Sequence, residues 1–350
     1  MTWTHDMETI WFAFVAFMIT AYVVLDGFDL GAGILHLMIR AREPERSAII
    51  RTIGPVWDGN EVWLIAGGGT LYFAFPLLYA SAFSGFYLPL HMVLWLFILR
   101  GIGIEFRWHA ESPVWHGLFD GFFTLSSTLL ALLFGVALAN VLRGVPLRPD
   151  GYFFAPLWTD WRVGPNPGIL DWYTVIGGAT SVVALAVHGA NYVTLKTGGA
   201  LNARARTASI RLWPVLTALT VVSLGATVYV RPGLIHNFES HRIWLVVPLS
   251  AFASLAAMPS LAGRERELEA FLCSSVYLVA MLAGAAAGLY PTLLPDISDP
   301  ALNITIFSAA AGQGALSYGL IWWSGGMVIA LGYFVFLYRM FRGKVKAASV

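Results

Sequence analysis

Tyr22-Val-Val-Leu-Asp-Gly-Phe-Asp-Leu-Gly-Ala-Gly-Ile-Leu35 sets two carboxylates, Asp26 and Asp29, inside a run otherwise apolar enough to cross a bilayer. Three residues apart on a helix, they project to nearly the same side, one turn over the other. An ionised carboxylate at mid-bilayer costs roughly 2.5–3.5 kcal/mol on an insertion scale. Two on one face need partners, water or protons. The surface facing them is therefore where the chain is expected to work.

The composition around that stretch agrees with a membrane setting. Of 350 residues, 58% are hydrophobic and 12% charged, and mean hydropathy is +0.70. Soluble domains carry about 25% charged residues, so most of this surface faces lipid or protein. A net charge of +1 without a long basic tract argues against nucleic acid. The single cysteine, Cys273, excludes an internal disulfide and a thiolate metal cluster. Asp6 and Glu8 stand where a signal peptide would be basic, and the first apolar run is too long for one. It is read as a retained span.

At about 20 apolar residues per crossing, the sequence predicts an all-α polytopic membrane protein with about nine transmembrane helices. They fall near 9–38, 56–78, 82–106, 115–142, 168–195, 210–231, 242–261, 268–290 and 313–341. Loop cations alternate accordingly. Arg40, Arg42, Arg46 and Arg51 follow the first span, and Arg107 the third. Lys196, Arg204, Arg206 and Arg211 follow the fifth, Arg264 and Arg266 the seventh, and Arg339, Arg342, Lys344 and Lys346 the ninth. The positive-inside rule then puts the N-terminus outside and the C-terminus in the cytoplasm. The loop at 144–167, rich in Pro, Trp and Arg, is expected to be an ordered external lid or docking surface. Asp26-Gly-Phe-Asp29 echoes His188-Gly-Ala-Asn191 four spans later. The echo suits two four-helix bundles plus one peripheral helix: 1–143 with the acidic cluster, 168–290, and 313–341.

More charge lies at the cytoplasmic ends of the next spans. Asp58 and Glu61 open the second span within Gly54-Pro-Val-Trp-Asp-Gly-Asn-Glu-Val-Trp63, and Arg100, Glu105 and Arg107 close the third. One reading is an ion-pair network locking helices, with Arg100 paired to an acid. The sharper reading is a proton-uptake path, because acids outnumber bases there and a purely structural network is expected to neutralise itself. Gly67-Gly-Gly69 permits close backbone approach, or a channel for a cofactor or small molecule. His91 and His188 are the histidines well inside spans; either could ligate haem iron, but hydrogen bonding to a neighbouring helix is the commoner use. No Cys-x-x-Cys-His, phosphate-binding glycine loop or HExxH is present.

These stretches together resemble subunit II of cytochrome bd quinol oxidases, including the cyanide-insensitive type. The matching segments are Leu25-Asp-Gly-Phe-Asp-Leu-Gly31, Pro55-Val-Trp-Asp-Gly-Asn-Glu-Val-Trp-Leu64 with Gly67-Gly-Gly69, and Ala80-Ser-Ala-Phe-Ser-Gly-Phe-Tyr87. Arg100-Gly-Ile-Gly-Ile-Glu-Phe-Arg107 and His188-Gly-Ala-Asn-Tyr192 complete the set. The external loop near 231–242 is shorter than in some members.

The resemblance implies a haem-free companion of a subunit I that carries haem b and haem d. Such a complex oxidises quinol, reduces dioxygen to water and sits in a bacterial or archaeal cytoplasmic membrane. It also implies a possible structural quinone on this chain and a possible small accessory subunit. Carried over by position, Asp58 is the proton entry group and Glu61 and Asp29 support it. Asp26, also a candidate for the path, orders helix contacts with Arg100 and Glu105, and Trp63 lines a possible oxygen route. A second reading of the same acids is a proton-coupled secondary transporter built on glycine-broken helices. A third is assembly alone.

Overall fold

The computed structural model describes residues 6–39 and 41–345. Arg40 and Lys346, two of the loop cations counted above, lie outside the described residues. Thirteen α-helices are present among those described. In chain order they are α1 (Asp6–Met38), α2 (Glu43–Ile53), α3 (Trp57–Ala74), α4 (Pro76–Gly85), α5 (Tyr87–Glu105), α6 (Pro113–Arg143) and α7 (Trp172–Lys196). Then follow α8 (Gly199–Val230), α9 (His236–Ser240), α10 (Val246–Gly263), α11 (Glu267–Leu289), α12 (Ile306–Ala309) and α13 (Gln313–Met340). A two-stranded antiparallel ribbon, β1 (Thr292–Leu294) with β2 (Ile304–Thr305), joins α11 to α12.

Eight of these helices are long and apolar enough to cross a membrane. The segment expected as the second span does not pass as one apolar helix. Phe75, with φ −133° and ψ 65°, ends α3, and Pro76 starts α4. Proline disfavours helical geometry in the residue before it and has no N–H to continue the ladder. The continuous apolar run hides this break in the sequence. α3 spans 18 residues, about 27 Å at 1.5 Å per residue, and its polar first turns lower its hydropathy.

Two further differences lie at the end of the bundle carrying most basic residues. The stretch after the first span, expected as a loop, contains α2, held down by a charge cluster at its base. Asp120 of α6 accepts from His36 Nε2 at 2.7 Å and Arg107 Nε at 2.6 Å, with Arg46 Nη1 at 3.0 Å. Arg107 Nη2 reaches Glu43 Oε1 at 2.6 Å. The sixth span likewise begins earlier than hydropathy suggests, at Gly199. Its 32 residues cover about 48 Å, so the first turns project beyond a hydrocarbon core of about 30 Å. Arg204 and Arg206 lie on this projection and pair with Glu45 and Glu265.

α1 is the hub. It packs along α3, α6, α7 and α11, while α7 packs on α6, α8 and α11, and α10 lies along α11. The α1–α7 seam is closed to a degree only glycine allows. A Cβ on Gly31 would lie 2.0 Å from the Leu185 carbonyl oxygen, and one on Gly189 2.3 Å from the Gly31 carbonyl carbon. α13 packs on α1 and α3 and otherwise presents a broad exposed face.

At the opposite end, 144–171 is ordered without being helical. Phe153 is buried against Gly85 and sets its ring edge to Phe86 at 4.9 Å. Arg143 pairs with Asp171 in full burial, and Asp296 Oδ2 accepts from Leu147 N at 2.7 Å. The loop therefore lies over the α4–α5 end as a fixed cover.

Gly31→Ala and Gly189→Ala should each lower the thermal midpoint of the assembled protein, overpacking costing ~1–3 kcal/mol. Gly225→Ala, with nothing within 4 Å, should leave it unchanged or raise it. Differential scanning of the three variants checks this.

Candidate functional site: a graded set of carboxylates

The buried polar centre lies where α1, α3, α5 and α13 meet. Asp26 and Asp29, on α1, are both fully buried. They take different partners. Asp26 Oδ2 and Oδ1 accept from Arg100 Nη1 and Nη2 at 2.9 and 2.5 Å, a bidentate pair with no exposed surface on either side chain. α5 packs along α6 rather than along α1, so the long guanidinium arm spans the gap. The Trp57 ring lies 6.0 Å from the guanidinium carbon.

Asp29 has no guanidinium. Its Oδ2 accepts from Asn60 Nδ2 at 2.7 Å, and Asn60 Oδ1 accepts in turn from the Tyr338 hydroxyl of α13 at 2.8 Å. Its Oδ1 is buried and has no hydrogen-bond partner among the described residues. The Tyr22 hydroxyl and Arg100 Nε in the same centre are likewise unpartnered. A buried polar atom left without a bond costs about 1–3 kcal/mol, so the centre has room in its hydrogen bonding for protons or water.

Exposure falls along α3 towards this centre. Asp58 is exposed, Glu61 half-buried and Asn60 fully buried. The buried stripe of α3 is Asn60, Trp63, Gly67, Thr70 and Ala74. That i, i+3, i+4 pattern places Asn60, rather than either acid, against α1. Asp58 and Glu61 sit off the stripe, one turn apart. Trp63 is 5% exposed and meets Phe17 and Phe334 at ring distances of 5.9 and 5.4 Å.

Several residues stand elsewhere than the sequence suggested. Glu105 is exposed and forms no ion pair among the described residues, so it does not join the helix-contact pairs: α5 ends there, and Glu105 falls off the buried side that carries Arg100, Gly103 and Ile104. Arg107 belongs to the Asp120 cluster instead of this centre. Gly67 packs on Met18, whereas Gly68 and Gly69 meet nothing within 4 Å. Asn60, Tyr338, Tyr22 and the His36–Asp120 pair escaped sequence reading. The spacing of Asn60 with Trp63 and Gly67 was a usable signal; nothing local marks Tyr338.

Of the two in-span histidines, His188 does not fit haem ligation. His188 Nδ1 contacts Ser274 Oγ at 2.8 Å and its Nε2 donates to the Val24 carbonyl at 2.9 Å, which commits both ring nitrogens. His91 is exposed and its Nδ1 donates to the Tyr87 carbonyl at 2.9 Å. Among the described residues no three His, Cys, Asp or Glu side chains converge as a metal site.

The cytochrome bd terminal oxidase subunit II family model matches residues 7–341. The chain belongs to that family. A probable cytochrome oxidase subunit 2 of Haemophilus influenzae is 30% identical over 97% of this chain and 96% of its own length. The cytochrome bd-I ubiquinol oxidase subunit 2 of Escherichia coli K12 is 29% identical over 89% and 88%. The cytochrome bd ubiquinol oxidase subunit 2 of Bacillus subtilis 168 is 26% identical over 97% and 96%. The bd oxidase structure from Geobacillus thermodenitrificans contains a chain of the same fold, with TM-score 0.73 and 18% identity over 96% of this chain and 98% of that one. The polypeptide is thus a subunit of a membrane oxidoreductase, a terminal oxidase.

Within that subunit, removing one partner of a buried pair strands the other charge, at a cost of ~3–5 kcal/mol. Arg100→Met should therefore sharply reduce the yield of assembled protein. The double variant Asp26→Leu/Arg100→Met should recover part of that loss, as measured by membrane yield and thermal midpoint in a double-mutant cycle.

Proposed function

We propose that this chain is the haem-free subunit of a quinol-oxidising, dioxygen-reducing complex and supplies cytoplasmic protons to a haem-bearing subunit I. The haems supply electron transfer from quinol to dioxygen; this chain's residues supply scaffold and proton entry. Its relatives include ubiquinol oxidase subunits, and the commitment of both His188 nitrogens supports placing the haems on the partner. In this reading α3 is the ninth crossing, 1–143 and 168–290 form the two four-helix bundles, and α13 stands at the periphery. The basic loops face the cytoplasm, with the N-terminus outside.

The observation carrying the proton role is the graded burial of acids that ends on an unpaired oxygen. Asp58 is exposed at the start of α3, Glu61 is half-buried, and Asp29 keeps Oδ1 free of any donor. Asp58 receives the proton, Glu61 relays it inward, and Asp29, held by Asn60, is the inner station. Asp26 has a structural task, because Arg100 occupies both of its oxygens. Trp63, buried between Phe17 and Phe334, forms part of an apolar wall suited to dioxygen. The transporter reading is set aside because membership of an oxidase family accounts for the same acids.

Asp58→Asn in the assembled complex should slow quinol-dependent oxygen consumption at least about tenfold. That factor corresponds to ~1.4 kcal/mol added to a rate-limiting proton transfer. Haem absorbance should be unchanged. Asp26→Asn should instead lower yield while surviving complex keeps its turnover. Normal turnover in Asp58→Asn, measured with an oxygen electrode, would remove the proton role.

A further inference from the structure

A cavity of about 220 Å³ opens at the end of the molecule that carries α2, where α7 and α13 finish and α3 begins. Four of the side chains lining it are cationic: Arg51, Lys196, Arg342 and Lys344. None is acidic. They come from three separate parts of the chain, so no single basic run explains their convergence.

Their neutralisation within the chain is incomplete. Lys344 Nζ lies 2.7 Å from Glu267 Oε2, outside the cavity lining. Lys196 Nζ donates to the Phe341 carbonyl at 2.7 Å and pairs with no carboxylate among the described residues. Arg51 stands over the Trp108 ring at 5.5 Å. Neither Arg51 nor Arg342 pairs with a carboxylate among the described residues. Cations gathered in a concave site raise the local potential and concentrate anions there.

The backbone fixes this geometry. After α13 the chain turns at Gly343, whose φ of +101° falls in the left-handed region glycine accepts. Val345 N then donates to the Lys196 carbonyl at 2.8 Å. Arg342 and Lys344 are thereby folded back against the end of α7.

We propose that the pocket bounded by Arg51, Lys196, Arg342 and Lys344 binds a phosphate-bearing anion, either an acidic phospholipid headgroup or dissolved phosphate. Lys196 and Met340 are the last residues of two membrane-spanning helices, so the pocket stands at headgroup level. Basic pockets between helices at that depth suit phospholipid headgroups. Anion binding here adds a tie from the end of α13, which packs on α1 and α3, to α2 and α7. Tyr338, whose hydroxyl bonds Asn60, also lines the pocket, so the site adjoins the acidic centre, while its four cations take no part in the proton path.

The test uses the intact oxidase complex purified in a neutral detergent. In one arm, phosphatidylglycerol and phosphatidylcholine are titrated separately and retained lipid is counted by native mass spectrometry. In the other, inorganic phosphate is titrated by calorimetry. Selective retention of phosphatidylglycerol, weakened about tenfold by Arg51→Gln/Arg342→Gln, supports the lipid source. Saturable phosphate binding with the same loss, and no lipid selectivity, supports the dissolved one. If the double variant does not assemble, Lys344→Gln takes its place. Equal retention of both lipids with no phosphate binding overturns the proposal, as does binding that no variant weakens.

Discussion

Asp26 and Arg100 meet at a depth where neither side chain reaches the surface, and the relative placement of α1 and α5 depends on that meeting. A lone charge in such a place is costly, and a pair is tolerated when both partners are well bonded. Two parallel hydrogen bonds meet that condition for Asp26. Asp29, one turn further on, is treated differently: an amide holds one oxygen and nothing holds the other. A single turn of α1 thus separates a carboxylate with both oxygens bonded from one with an oxygen left over.

Helices and the acidic centre were largely legible in the sequence because both follow from local chemistry. Apolar runs of bilayer length announce spans, and acids inside them stand out. Where reading failed, the cause was competition between signals. The run from Val62 to Ile104 is apolar throughout most of its length, so the break at Phe75–Pro76 was hidden under continuous hydrophobicity. α2 was masked by its own charge: arginines that mark a cytoplasmic loop also dock a helix through Glu43 and Asp120. Glu105 looked like a partner because it stands between Arg100 and Arg107 in the sequence, yet helix rotation turns it outward. Tyr338 lies 278 residues from Asn60, and no local pattern connects two such positions.

The two ends of the molecule are built on different principles. The end bearing α2 is held by charged side chains reaching between helices, among them Arg107, Asp120, Arg204 and Glu45. The other end is held by the buried Arg143–Asp171 pair and by bonds to backbone groups, with the ribbon, the Asp296 bonds and the Arg231 contacts to carbonyls of Arg143 and Asp296 knitting loops together. Salt therefore bears on the first end through its partly exposed pairs, Arg204–Glu45 and Arg206–Glu265, since screening weakens these and leaves buried pairs and backbone hydrogen bonds nearly untouched.

The spacing of partners along the chain also sets a timetable. Domains and segments emerge from the ribosome N-terminus first. Asn60 follows Asp29 by 31 residues and Arg100 follows Asp26 by 74, whereas His188 reaches Val24 only after 164. Translation accordingly delivers a mate to each carboxylate of α1 well before α7 arrives to close the glycine seam.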